Sequence, residues 1–244
     1  MKKAILLAAV LCTAFGIKAQ NVQFHYDLGH SLYGDLRARP NATTTIEMFK
    51  ADKWGSTYFF NDMDYFSDGS AGAYWEFSRE INLTKNKQWA AHVEYNGGAT
   101  SIEHTAIASR FRHAILVGGA WNWLSADFNK NFSLQAMWKY YFDGMGAGAY
   151  NGFQVTTVWG INFCGGLLTT SGFADLWYDP DVNGNLIFLS EPQFWVNLNK
   201  LKGWDGINLS IGSEVELSNN FVFNKSGHNQ SFYAIPTIAL KWTF

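Results

Sequence analysis

The chain has 244 residues, of which 48% are hydrophobic, 17% aromatic and 16% charged, and its 18 Lys+Arg face 20 Asp+Glu. That aromatic content with so little charge excludes a disordered chain, and the absence of a basic excess removes the means of binding nucleic acid by counterion release. Beyond the first residues no stretch is long and apolar enough for a spanning helix, so a membrane protein with this sequence has to be built from strands.

The chain begins with Lys2 and Lys3, then runs uncharged from Ala4 to Ile17 and reaches Ala19. This pattern predicts a secretory signal at residues 1–19, cut after Ala19. Cys12 follows Leu11, where lipoprotein processing needs a small residue, so no lipid anchor is expected. Removal of the signal leaves 15 basic and 20 acidic residues, a charge of −5. Cys164 is then the sole cysteine, and no intrachain disulfide can form.

From there the sequence alternates with period two. Between Asn131 and Phe142 the even positions are Phe132, Leu134, Ala136, Trp138, Tyr140 and Phe142, while the odd ones include Ser133, Gln135 and Lys139. The last segment repeats this with Phe232, Ala234, Pro236, Ile238, Leu240, Trp242 and Phe244 opposite Tyr233, Thr237, Lys241 and Thr243. Applied throughout, the template predicts twelve strands, at 21–28, 43–50, 56–66, 72–82, 88–97, 111–124, 131–142, 152–163, 167–178, 185–198, 206–218 and 231–244. The connections 29–42, 98–110 and 219–230 are long, and 51–55, 83–87 and 164–166 are short. An even strand number with short turns at one end and long loops at the other fits an all-β, transmembrane antiparallel β-barrel of about 12 strands in the outer membrane of a Gram-negative bacterium. Trp75, Trp121, Trp123, Trp138, Tyr140, Trp159, Tyr178 and Trp242 fall on the apolar parity, facing lipid and its interfaces. Phe244 closes the chain as in barrels delivered to the outer-membrane insertion machinery. A soluble sandwich of similar strands is the rival fold, and it explains neither the loop pattern nor the aromatic strand ends.

The opposite parity must then face the lumen. It carries Asp27, Asp62, Asp64, Tyr74, Glu76, His92, Glu94, Asp175, Trp177, Glu191, Trp195, Glu214 and Glu216, with Lys139 among them and Arg112 at the rim. With Glu47 and Glu80 this makes eleven carboxylates against four bases, Arg110, Arg112, Lys139 and Lys241. Charges inside a membrane are tolerated when paired or wet, so the expectation is a narrow, acidic pore for cations or neutral polar solutes. Its aromatic residues offer faces for stacking against a planar polar ligand. The competing expectation is a lumen plugged by its own salt bridges.

Two chemical motifs compete. His228 with Ser226 or Ser231 could form the dyad of a lipid-acting barrel enzyme, but no oxyanion site accompanies it. Asp179, Pro180, Asp181, Val182, Asn183 and Gly184 open like a calcium loop, yet Ser190 stands where a bidentate Glu is needed. No metal or other cofactor is expected.

The stretches Val22 to Gly29 (VQFHYDLG), Glu47 to Tyr65 (EMFKADKWGSTYFFNDMDY), Gly72 to Glu80 (GAYWEFSRE), His92 to Gly98 (HVEYNGG), Ser190 to Asn197 (SEPQFWVN) and Ile211 to Phe221 (IGSEVELSNNF) resemble an uncharacterised family of Gram-negative outer-membrane proteins. That family is similar in turn to the Tsx-type nucleoside-specific channels. The resemblance implies a twelve-stranded monomeric barrel that passes nucleosides or other small polar solutes. The sequence reading is therefore a passive channel, with a closed structural or surface-interaction barrel and a lipid-acting enzyme as alternatives.

Overall fold

The computed structural model describes residues 20–37, 39–101, 108–110, 112–144, 148–222 and 231–244; the expected signal at 1–19 lies outside them. The strands are β1 (Gln20–Asp27), β2 (Ala42–Ala51), β3 (Gly55–Phe66), β4 (Gly69–Asn82), β5 (Trp89–Ser101), β6 (Ala108–Arg110), β7 (Ala114–Leu124), β8 (Lys130–Tyr141), β9 (Tyr150–Phe163), β10 (Leu168–Tyr178), β11 (Leu186–Ser190), β12 (Gln193–Asn197), β13 (Leu209–Asn219) and β14 (Phe232–Thr243). All pairings are antiparallel, and β9 pairs β10 while β14 pairs β1, so the sheet closes on itself. Short β6 only extends the edge of β5.

The expected strand 185–198 is interrupted. Pro192 has no N–H to give to the ladder, and Glu191 and Pro192 separate β11 from β12. Both halves pair β10 and β13 without a register shift, Ser190 opposite Ala174 and Gln193 opposite Ser171. They count as one strand, and the fold is a closed barrel of 12 strands.

Gln20 and Phe244 lie at one end of the barrel, here the terminal end, with Phe244 N donating to Gln20 O at 3.0 Å. The loop-length rule holds only in part. On the opposite, loop end β3 and β4 are joined by Ser67 and Asp68 alone, whereas 198–208 makes a long connection at the terminal end. The terminal-end turns are tied by side chains. Asp127 accepts from Ser125 Oγ at 2.6 Å, from Asn129 Nδ2 at 3.0 Å and from Asn129 N at 3.1 Å. These donors hold its carboxyl down at about 2.

The radial order is the reverse of a soluble protein's. Phe24, Phe77, Val93, Val117, Trp138, Phe153, Phe194, Ile238 and Leu240 are exposed on the outer face, whereas Gln23, His25, His92, Asn96, Lys139, Gln154 and Ser218 are buried inside. In water, large apolar side chains seek the interior and charged ones the surface. A continuous apolar outer band around a polar interior is stable when the surroundings are hydrocarbon, and ring closure leaves no strand edge unpaired there. Arg79 is an outward cation near the terminal end; it reaches Asp52 of the β2–β3 turn at 2.8 Å and Thr57 Oγ1 at 2.9 Å. Arg79 first, then the Trp54 N–H, hold the Asp52 carboxyl well below the usual range.

Candidate functional site

Strand pleating delivers the lumen side chains. In β1, Gln23, His25 and Asp27 point inward between outward Phe24 and Tyr26. In β5, His92, Glu94 and Asn96 are 2%, 7% and 4% exposed while Val93 is 47% exposed, so the inward parity is set residue by residue.

One wall gathers β1, β2, β3, β12, β13 and β14. Thr45 Oγ1 donates to Asp62 in a short hydrogen bond, and Thr43 Oγ1 donates to Asp64 at 2.6 Å, each pair directly opposite in the β2–β3 register. Glu47 accepts from Asn21 and Gln23, both at 2.9 Å, and from Tyr58 OH at 3.2 Å. Glu214 accepts from Gln193 Nε2 at 2.7 Å and lies 3.8 Å from His25 Nδ1. Glu191 faces Glu214, Asp62 and Glu216 within electrostatic reach. Asp62, Asp64, Glu191 and Glu214 are half-buried, so water reaches this wall.

The other wall gathers β4, β5 and β7 to β10. Glu80 and Glu94 bracket His92, at 3.5 Å from Nδ1 and 3.1 Å from Nε2, and Asn122 Nδ2 donates to Glu80 at 2.7 Å. Tyr74 OH donates to Glu76 at 2.8 Å. Lys139 Nζ donates to Gln154 Oε1 at 2.7 Å and sits 5.0 Å from the Tyr141 ring and 5.1 Å from the Trp177 ring. Gln154 Nε2 turns to Asp175 at 3.4 Å. Small and apolar Ala114, Leu116 and Ala120 on β7 leave room for the longer side chains beside them.

The β1–β2 connection folds into the lumen, where Leu36 is 1% exposed and packs with Val222, Tyr233, Ile235 and Tyr33. Gly29 makes the entry turn: its N–H donates to Asp27 Oδ1 at 2.6 Å, and a Cβ there would meet that oxygen and Ile235 Cγ2 at 2.8 Å. Tyr233 OH donates to Asp35 at 2.8 Å, and Tyr33 OH donates to Ala234 O at 3.1 Å. Arg39 then reaches Asp27 at 3.1 Å and Glu216 at 2.8 Å. On the far side Val182 of the β10–β11 loop joins Leu116, Met137, Tyr141, Trp177, Ile187 and Leu189 in a second apolar cluster.

The fifteen expected lumen residues are thus distributed. Thirteen line the two walls. Arg112 stays at the loop-end rim, 3.5 Å from Asp181 and 4.8 Å from the Tyr150 ring. Asp27 belongs to the Arg39 latch. Two of the aromatic faces expected to stack a ligand are already covered: Lys241 lies 4.1 Å over Trp195, whose edge meets His25, and Trp177 meets Lys139 and Phe221. Arg39 is the functional residue that period-two reading misses, because it lies on a loop. Its signal was Tyr33 and Leu36, apolar residues that a fully solvated loop has no use for.

In the calcium-like segment, Asp179 accepts from Asp181 N at 2.9 Å as an ordinary turn, and Asp181 serves Arg112. Among the described residues no three His, Cys, Asp or Glu lie close enough to share a metal ion. Ser226 and His228 of the expected dyad lie outside the described residues.

A family profile described as a domain of unknown function, DUF5020, matches residues 19–244. The chain belongs to the DUF5020 family. No curated protein matches it. Among solved structures, a NanC porin superposes with TM-score 0.57 at 10% identity over 93% of this chain and 100% of its own. The KdgM porin does so with TM-score 0.50 at 8% identity over 93% and 99%. At these identities the likeness shows the fold, an outer-membrane type of barrel, which this DUF5020 chain shares.

Proposed function

We propose that this barrel sits in a Gram-negative outer membrane as a passive channel for small polar or cationic solutes. The observation that carries the reading is the charge of the lumen. Eleven carboxylates (Asp27, Glu47, Asp62, Asp64, Glu76, Glu80, Glu94, Asp175, Glu191, Glu214 and Glu216) face Arg39, Lys139 and Lys241. Even with His25 and His92 protonated the lining is short of cations, and mobile cations from solution supply the balance. Such a lining repels anions and concentrates cations. That NanC and KdgM are porins is consistent with this reading. Nucleosides are the leading neutral solute by resemblance, although the lysines capping Trp177 and Trp195 leave a base fewer free faces.

The protein purified in detergent and placed in planar bilayers should give cation-selective steps across a salt gradient. The pair Asp62→Asn with Asp64→Asn should lower that selectivity while leaving the barrel folded. Block by adenosine or thymidine, and not by an uncharged sugar, would support nucleosides. An inserted barrel without conductance would overturn the channel and favour a closed structural or interaction barrel.

Orientation has its own test. With short turns on the periplasmic side, exposed Cys164 in the β9–β10 turn at the terminal end faces the periplasm. A bulky polymer-linked maleimide should leave it unlabelled on intact cells and label it once the outer membrane is permeabilised. Labelling on intact cells would reverse the orientation.

A further inference from the structure

The wall around Lys139 has carboxylates without a cation of their own. Glu76, Glu94 and Asp175 come from β4, β5 and β10, and all lie within electrostatic reach of one another across the lumen. Lys139 is the base among them, yet its ammonium is drawn aside to Gln154, Tyr141 and Trp177 and makes no ion pair with them among the described residues. His92 is already shared by Glu80 and Glu94. Even counting Lys139, the carboxyl groups outnumber the bases by two.

The polar atoms tell the same story independently of charge. Glu94 Oε1, Asn96 Oδ1 and Asp175 Oδ1 are buried and accept no hydrogen bond from any described residue. Glu94 is 7% exposed and Asn96 4%. A buried acceptor without a donor costs about 1–3 kcal/mol, so three of them on one wall mark a place where donors arrive from elsewhere. Asn96 stands opposite Glu76 in the β4–β5 register, which puts amide and carboxylate side by side.

We infer that this wall is a binding site for a linear organic dication, of the aliphatic diamine class, held end to end between Glu94 with Asn96 and Asp175. Several observations select that ligand. Two surplus carboxyl groups match a ligand with two positive ends. No three described acidic, His or Cys side chains converge tightly enough for a bare metal ion, so the charge must be spread along a molecule. An ammonium offers three donors to the unpaired acceptors. The site rests on the channel reading and gives it a solute class.

The test is calorimetric titration of the purified protein in detergent with diaminobutane, butylamine and butanediol. Diaminobutane should bind saturably, one per barrel, with butylamine about tenfold or more weaker and butanediol silent. Glu94→Gln and Asp175→Asn should each weaken the diamine about tenfold or more. Asp127→Asn, in the β7–β8 turn at the terminal end, should not. Heat-modifiable gel mobility shows that each variant is folded. No saturable heat, equal binding of diol and diamine, or an unaffected Glu94→Gln, Asp175→Asn double variant overturns the site. Conductance in bilayers without diamine binding removes the site and leaves the channel; binding without conductance keeps the site and removes the channel.

Discussion

Arg39→Ala should release the β1–β2 loop from the lumen and raise single-channel conductance. The guanidinium is the cation bound directly to Asp27 and Glu216, and these groups are 21%, 13% and 12% exposed. Removing one partner of a buried ion pair strands the other charge, at about 3–5 kcal/mol when burial is complete; partial exposure puts this latch toward the lower end. The loss falls on the docked state of the loop, since neither the loop nor Arg39 takes part in the strand ladders that close the barrel. What remains to hold the loop is the Leu36 cluster, the Asp35–Tyr233 hydrogen bond and the hydrogen bonds between the Tyr33 hydroxyl and the Ala234 backbone. Trypsin should therefore cut after exposed Arg37 faster in the variant, because cleavage requires the loop to leave the wall. Arg39→Lys keeps one charge but cannot span both carboxylates as a fork does, and should fall between the two. Unchanged conductance together with unchanged protection at Arg37 would show that the loop does not govern the mouth.

The same latch shows where sequence reading stops. The strand predicted at 131–142 is found as Lys130–Tyr141, and its inward Gln135, Met137, Lys139 and Tyr141 alternate with outward Leu134 and Trp138 as the period-two pattern requires. Period two is a local property of an extended chain, so it survives in the sequence wherever one face meets lipid and the other does not. Closure by the first and last strands also follows once an even number of strands has to satisfy every backbone group. Arg39 and Glu216, by contrast, are 177 positions apart, and no spacing rule links them. The loop-length rule failed at Ser67–Asp68 and at 198–208, because a rule about membrane sides describes an average and does not fix the length of any single connection. The parity of the strands likewise places Trp195 and Trp177 inside but does not say that Lys241 and Lys139 lie over their rings, since those contacts join different strands.

Val155→Arg and Thr156→Lys, adjacent in β9, should have opposite consequences. Val155 is outward, near the middle of its strand, and is flanked in register by outward Ala136 and Leu176. An arginine at mid-depth on the lipid face of a barrel costs about 2–4 kcal/mol, and its side chain has the farthest to travel to either interface. Thr156 is inward, 8% exposed, and stands opposite Asp175 in the β9–β10 register. A lysine there gives up the hydrogen bond that the Thr156 hydroxyl accepts from Gln154 but enters a lumen with surplus carboxylates, and should cost less than the arginine on the lipid face while cation selectivity falls. Urea titration of both variants in lipid vesicles, followed by gel mobility, measures the difference. A soluble sandwich would turn the Val155 face toward water or toward a second sheet, and would stay in solution without detergent. Equal midpoints for the two variants would therefore show that the apolar band does not face lipid, and the wet, acidic interior would lose the membrane that makes it a lumen.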